Sequence, residues 1–269
     1  MLVVRGDREY LVEPGEALGT DLGVLEVPAD VEPGHVLETH LGTEFRVRAL
    51  RGPDCFHHFE RTGAPMVPRD VGLIIGETGI GVGDRVLDAG TGTGVLAAAM
   101  ARDGASVVTF ERDPEFATVA RENMALAGVD DAVEVRTGDL VDAIDDLLEG
   151  APGGDSIETP EEDAHHDGRS GRFDVITLDT ADAPAIVERA PELLVDGGFL
   201  AVYSPFVEDA REVVLAAVEA KLSDVYSRET IQREMDFDER GSRPTTAPVG
   251  HTGYLTVARN EPASPPDEE

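Results

Sequence analysis

Three alternating glycines, Gly90, Gly92 and Gly94, close the segment Arg85-Val-Leu-Asp-Ala-Gly-Thr-Gly-Thr-Gly94, just before an apolar run that starts at Val95. Glycine tolerates positive φ and has no Cβ, so such a turn lets a ligand reach bare backbone N–H groups and a helix N-terminus. Alone the motif is loose, because glycine turns also serve dinucleotides and some only close a strand-to-helix connection. Acids further along sharpen it. Glu111 ends the apolar run Ser106–Phe110 seventeen positions after Gly94, where a carboxylate can accept hydrogen bonds from both hydroxyls of a ribose. Asp139 follows the run Val133–Val135, and Asp179 follows Phe173–Leu178.

These groups meet only if the apolar runs are parallel strands of one sheet, whose carboxyl edge is where ligands bind. Val86 and Leu87 predict a buried first strand, and Leu96 to Met100 the apolar side of a helix starting at Val95. Asp113 as N-cap and Pro114 at the first helical position predict a helix over Pro114–Ala127. Strand and helix alternate, which implies an α/β fold with a mainly parallel sheet.

The spacing Gly-x-Gly-x-Gly, with acids after the second and third strands, resembles the class I S-adenosylmethionine-dependent methyltransferases; a dinucleotide dehydrogenase would carry a wider glycine fingerprint. The resemblance implies a Rossmann-like sheet. It places Gly90, Thr91, Gly92, Thr93, Gly94 and Val95 beside the methionine part of S-adenosylmethionine, Glu111 with its neighbour Arg112 at the ribose, and Asp139 with Leu140 at the adenine.

The C-terminal segments Arg243-Pro244, Val249-Gly-His-Thr-Gly-Tyr-Leu255 and Ala258-Arg259 are similar to the closing signature of the tRNA (adenine-N1)-methyltransferases that act in the T-loop. Ala64-Pro-Met-Val-Pro-Arg-Asp70 resembles that family's approach to its first catalytic-domain helix, and Gly198-Phe-Leu-Ala-Val-Tyr-Ser-Pro205 its fifth strand. The matching segments run from about Arg61 to Arg259. The resemblance implies N1-methyladenosine formation in tRNA, in an archaeal branch able to act on adjacent adenines, by a homotetramer with Asp179 as the catalytic acid. A carboxylate is adequate for this chemistry, because adenine N1 is unprotonated near neutrality; Asp179 would accept a hydrogen bond from N6 and stabilise positive charge growing on the ring.

Two positions depart from the family pattern. Val67 stands where an aromatic usually precedes the Pro-Lys-Asp-like triplet, and Thr180-Ala-Asp-Ala-Pro184 replaces a Pro-Trp segment in a chain without Trp. A flipped base gains about 1–3 kcal/mol from aromatic stacking, so Tyr203, Phe206 or His251 is expected to supply it.

Composition adds a conflict. Fifty-five acidic against 22 basic residues give a net charge of -33, with Lys221 the only lysine. Such a surface looks like that of a salt-adapted haloarchaeal cytosol, where concentrated salt screens self-repulsion. A noncatalytic RNA-binding subunit, or a class I methyltransferase acting on protein or a small molecule, are the competing readings. For tRNA contact the arginines Arg61, Arg69, Arg233, Arg240 and Arg243 are the candidates, with Tyr203 and His251.

Residues 1–60 are punctuated by Gly15, Gly19, Gly23, Gly34 and Gly42 between short apolar runs, which predicts a small N-terminal β domain, a barrel or curled sheet, ahead of a methyltransferase domain over 61–260. The acidic stretch 149–172 is expected to be a mobile insertion and 261–269 a disordered tail. Cys55, His57, His58, His165 and His166 lack the ligand number and spacing of a structural zinc site, so no metal is expected. The absence of an apolar run of about 20 residues and of a leader-like segment predicts no membrane partner and a cytoplasmic protein.

Overall fold

The computed structural model describes residues 1–149 and 172–261; the stretches expected to be insertion and tail fall almost wholly outside the described residues. The chain forms two compact units, Met1–Phe59 and Glu60–Glu269.

The first unit contains β1 (Leu2–Arg5), β2 (Arg8–Leu11), β3 (Ala17–Thr20), β4 (Gly23–Glu26), β5 (Val36–Glu38), β6 (Glu44–Arg48) and α1 (Gly52–His58). The strands form an antiparallel sheet of order β2-β1-β6-β5 and a separate β3–β4 hairpin. Alternation along β4 and β6 turns Leu25, Phe45 and Val47 inward, where they share a core with Val3, Val27 and Val31. Cys55 is buried on α1.

The second unit opens with α2 (Pro68–Thr78), then alternates β7 (Arg85–Ala89), α3 (Val95–Arg102), β8 (Ser106–Glu111), α4 (Pro114–Ala127), β9 (Val133–Thr137), α5 (Leu140–Glu149), β10 (Phe173–Leu178), α6 (Ala183–Leu193), β11 (Leu194–Ser204) and α7 (Val207–Glu219). It closes with β12 (Ser223–Glu229), the hairpin β13 (Met235–Asp238) and β14 (Gly241–Pro244), and β15 (Tyr254–Arg259). The sheet order is β12-β15-β11-β10-β7-β8-β9, with β7 to β11 parallel and β15 inserted antiparallel between β11 and β12.

The parallel strands are buried on both faces. Leu87, Ile176, Leu178, Leu200 and Val202 share a core with Ile186, Val187 and Ala190 of α6 and Val213 and Ala217 of α7. The α4 helix starts as its sequence dictates: Asp113 Oδ1 accepts the N–H groups of Glu115 at 2.8 Å and Phe116 at 3.3 Å, and Gly128 ends it at φ 67°. From β7 the chain runs outward through β8 and β9, then returns to β7's other side through β10. The crevice at the carboxyl ends of β7 and β10 is therefore the topological switch point, where an α/β sheet offers its ligand site.

Candidate functional site

Gly90, Gly92 and Gly94 all have positive φ, at 91°, 52° and 82°. Two of them have a packing reason besides. A Cβ on Gly90 would lie 2.7 Å from the carbonyl carbon of Asp179 and closer still to its oxygen, and one on Gly94 would strike the Met124 side chain. The turn is pinned to the sheet by Gly90 N–H donating to Phe110 O at 3.0 Å, while Asp179 N–H donates to Ala89 O at 2.9 Å.

Beneath it lies Asp88, only 3% exposed. Its two carboxylate oxygens accept the hydroxyls of Thr109 and Thr177, each at 2.5 Å. Since the Thr109 proton is spent on Asp88, Thr91 donates to Thr109 across 2.5 Å, which ties the turn to the buried acid. Burial pushes the Asp88 pKa up and the two hydroxyls draw it back.

A cavity of about 300 Å³ opens above the turn, lined by Gly90, Gly92, Thr93, Glu111, Arg112, Asp139, Leu140 and Asp179, among others. This size lies at the lower end for small-molecule sites. Glu111, the last residue of β8, accepts the Gly92 N–H at 2.9 Å through one oxygen and the Asp113 N–H at 3.1 Å through the other. Asp139 accepts the Val141 N–H at 2.9 Å at the start of α5, and Leu140 beside it is buried. Arg112 reaches Asp182 at 2.9 Å and stands 4.0 Å from Asp139. Thr91, Gly94 and Val95 are not among the lining residues and support the turn from behind. Bare backbone, ribose-spaced carboxylate and apolar floor together fit a nucleoside-bearing cofactor.

A second cavity, also about 300 Å³, shares Asp179, Thr180 and Ala181 with the first and is otherwise walled by Pro184, Tyr203, Pro205, Phe206 and neighbouring residues. Asp179 is thus the partition. The residue is exposed at this edge of the sheet, but the protein packed around its carboxylate restricts its solvation. That burial, then the nearby Asp88, raises its pKa to about 6.

The residues expected at tRNA are not all brought together. Tyr203 walls the second cavity. His251 stands close to that cavity's rim, with Nε2 2.9 Å from Pro205 O, Nδ1 2.8 Å from Glu229 and its ring against Tyr254. Arg69 turns inward onto Asp70 and Thr252. Arg243 lies on the exposed β14 and Arg61 on the surface before α2, and neither lines these two cavities.

Sequence reasoning missed Thr62, Gly63 and Ala64, which wall the first cavity, and the buried acids Asp70 and Asp88. The signal for Asp88 was present: an acid inside the apolar run Arg85–Ala89 must have buried partners.

The chain is similar to known methyltransferases. The family model for ribosomal protein L11 methyltransferase (PrmA) matches residues 73–148, a span from α2 to α5. Over 98% of this chain and 95% of the relative, the sequence is 34% identical to the tRNA (adenine(57)-N(1)/adenine(58)-N(1))-methyltransferase of Methanocaldococcus jannaschii. It is 27% identical to the tRNA (adenine(58)-N(1))-methyltransferase of Thermus thermophilus, over 98% and 97% of the two chains. A SAM-dependent O-methyltransferase from Thermotoga maritima superposes with a TM-score of 0.74 at 24% identity, covering 100% of this chain and 94% of that one. The tRNA (m1A58) methyltransferase of Aquifex aeolicus gives 0.67 at 23% identity, covering 96% and 95%. These two likenesses establish the Rossmann-like methyltransferase fold.

Proposed function

The chain belongs to the tRNA (adenine-N1)-methyltransferase family, and on that premise we propose that its two cavities receive S-adenosylmethionine on one side of Asp179 and an extruded tRNA adenine on the other. It is an S-adenosylmethionine-dependent enzyme that forms N1-methyladenosine in tRNA. The single observation that carries the spatial reading is the position of Asp179 as the shared wall of both cavities.

In this reading Gly90, Gly92 and Thr93 of the glycine turn face the methionine part of the cofactor, Glu111 holds the ribose, and Asp139 with Leu140 faces the adenine. When bound, the cofactor supplies a methyl group made electrophilic by its sulfonium. The protein's part is placement and charge. Asp179 accepts a hydrogen bond from the exocyclic amine of the target base, which aims N1 at the shared opening. Its negative charge then offsets the positive charge that grows on the adenine ring. Tyr203 and Phe206 supply the aromatic wall that Val67 does not; Phe206 is 66% exposed, free to meet an entering base.

The net charge of -33 opposes a polyanion unless salt is high. We assign the protein to a salt-rich cytoplasm, where a Debye length of about 3 Å at 1 M confines repulsion to direct contacts. Recognition of the T-loop then depends on shape, stacking and short-range arginines such as Arg61 and Arg243. A homotetramer is the assembly proposed. Among the described residues no helix is long and apolar enough to cross a membrane.

Cofactor titration tests the first cavity. Glu111→Ala is expected to weaken S-adenosylmethionine binding by about 10- to 100-fold, the loss of charge-assisted hydrogen bonds worth about 1.5–3 kcal/mol. The rate at saturating cofactor should change little. A variant with unchanged affinity and a slower chemical step would remove Glu111 from the ribose. Transfer of labelled methyl to unmodified tRNA in molar potassium chloride tests the reading as a whole.

A further inference from the structure

The segment His251–Gly253, just before β15, packs against the second cavity's wall, and its contacts converge on an acid with no assigned role. Asp70 lies at the start of α2, is 4% exposed, and is held by its neighbour Arg69 and by a residue from the distant end of β11. Arg69 Nε donates to its Oδ1 at 2.8 Å and Arg69 Nη2 to its Oδ2 at 3.2 Å. The same guanidinium nitrogen donates to the hydroxyl of Thr252. Onto Asp70 Oδ2 the phenol of Tyr203, at the end of β11, donates at 3.1 Å.

Gly253 completes the arrangement. A Cβ there would fall 2.7 Å from both Cε1 and Oη of Tyr203, so the ring lies directly on bare backbone. Tyr203 is therefore fixed at two points: its face by Gly253 and its tip by Asp70. Burial raises the phenol's pKa to about 12, so it remains a hydrogen-bond donor at any physiological pH.

A buried ion pair is not in itself a source of stability, because an apolar replacement of both partners often serves as well. What an apolar pair could not do is hold a hydroxyl at a fixed point. Tyr203 walls the same cavity as Asp179, so a ring that swings on its Cβ would alter the width of the space in which the base must be aimed.

We infer that Asp70, clamped by Arg69, which Thr252 holds in turn, is a positioning residue for methyl transfer, holding the Tyr203 ring against Gly253 as the fixed wall of the base pocket. The inference rests on the reading of the second cavity as the adenine pocket.

The test pairs Asp70→Ala with Tyr203→Phe and their combination, in the full chain. Each single change is expected to lower kcat/KM for tRNA by about tenfold, the worth of about one hydrogen bond's positioning. The double variant should equal the singles, because both remove one link. S-adenosylmethionine affinity should hold, since neither residue lines the first cavity. Protein carrying 3-fluorotyrosine gives an independent readout: the chain has four tyrosines, and Tyr203→Phe assigns the relevant fluorine signal. Asp70→Ala should move that signal towards the position of free fluorotyrosine and leave the other three in place.

Effects that multiply to about 100-fold in the double variant, or a Tyr203 signal unmoved by Asp70→Ala, would overturn the inference. Should Asp70→Ala fail to fold, Asp70→Asn combined with Tyr203→Phe makes the same comparison. If the unaltered protein does not methylate tRNA, the base-pocket reading fails, while the fluorine signal still decides whether Asp70 fixes Tyr203.

Discussion

Replacing Asp179 with alanine is expected to lower turnover by about 10²- to 10³-fold, the usual cost of removing one group aimed at developing transition-state charge. Cofactor affinity should stay within about tenfold, or about 1.4 kcal/mol, because Glu111, Asp139 and the glycine turn remain. The contrast between a large loss in kcat and a small change in cofactor binding separates a catalytic role from a supporting one. Asp179→Asn tests charge alone: it keeps the shape and an acceptor oxygen but cannot offset a cationic ring, so most of the loss should persist.

The same carboxylate predicts a pH profile. Its pKa is raised to about 6 by burial, then by Asp88, so the charged form dominates above that pH and the neutral form below it. Turnover should therefore be flat near neutrality and fall by about tenfold per unit as pH drops through and below 6. A bound sulfonium favours the carboxylate and moves this limb to lower pH, never higher. The limb should vanish in Asp179→Asn. A profile unchanged by that substitution would assign the titration to another group.

The second large effect is at Gly90. An added methyl would collide with the Asp179 backbone, and its φ of 91° already disfavours any L side chain. Strain of about 1–3 kcal/mol comes with a clash that backbone can relieve only by moving. Because the displaced backbone is that of Asp179, Gly90→Ala should abolish transfer and cofactor binding together, and lower the melting temperature. Gly72→Ala is the matched control. Gly72 lies inside α2 with nothing within 4 Å of the added methyl, so that change should leave activity intact and stabilise the helix by about 0.5–1 kcal/mol. A Gly90→Ala protein that bound cofactor normally would mean that the turn does not face it.

Elements whose signals are local were legible in the sequence. Doubly buried strands appear as continuous apolar runs, so the strands ending at Ala89, Glu111, Thr137 and Leu178 could be found; Phe173–Leu178 matches to the residue, and the other three fall one or two residues short at an end where polar positions such as Arg85 and Thr137 pair at the sheet's rim. The Asp113-Pro114 start and Gly128 stop of α4 are likewise written in adjacent residues. Long-range pairing was not legible. Insertion of β15 between β11 and β12 joins residues 25 or more positions apart, and the β1–β6 pairing of the first unit is likewise long-range. The site followed the same division. Strand-end acids were visible because topology alone brings them to one edge. Asp70 and the inward turn of Arg69 were not, because their partner Tyr203 lies 133 positions away. An arginine next to an acid looks the same in sequence whether it faces solvent or core.

The most direct test of the central claim is nucleoside mass spectrometry of unmodified tRNA incubated with the protein and labelled S-adenosylmethionine in molar potassium chloride. The expected result is labelled 1-methyladenosine, lost when the T-loop adenines are replaced and reduced by at least about 100-fold with Asp179→Ala. Label confined to another nucleoside, or 1-methyladenosine that survives replacement of the T-loop adenines, would contradict it.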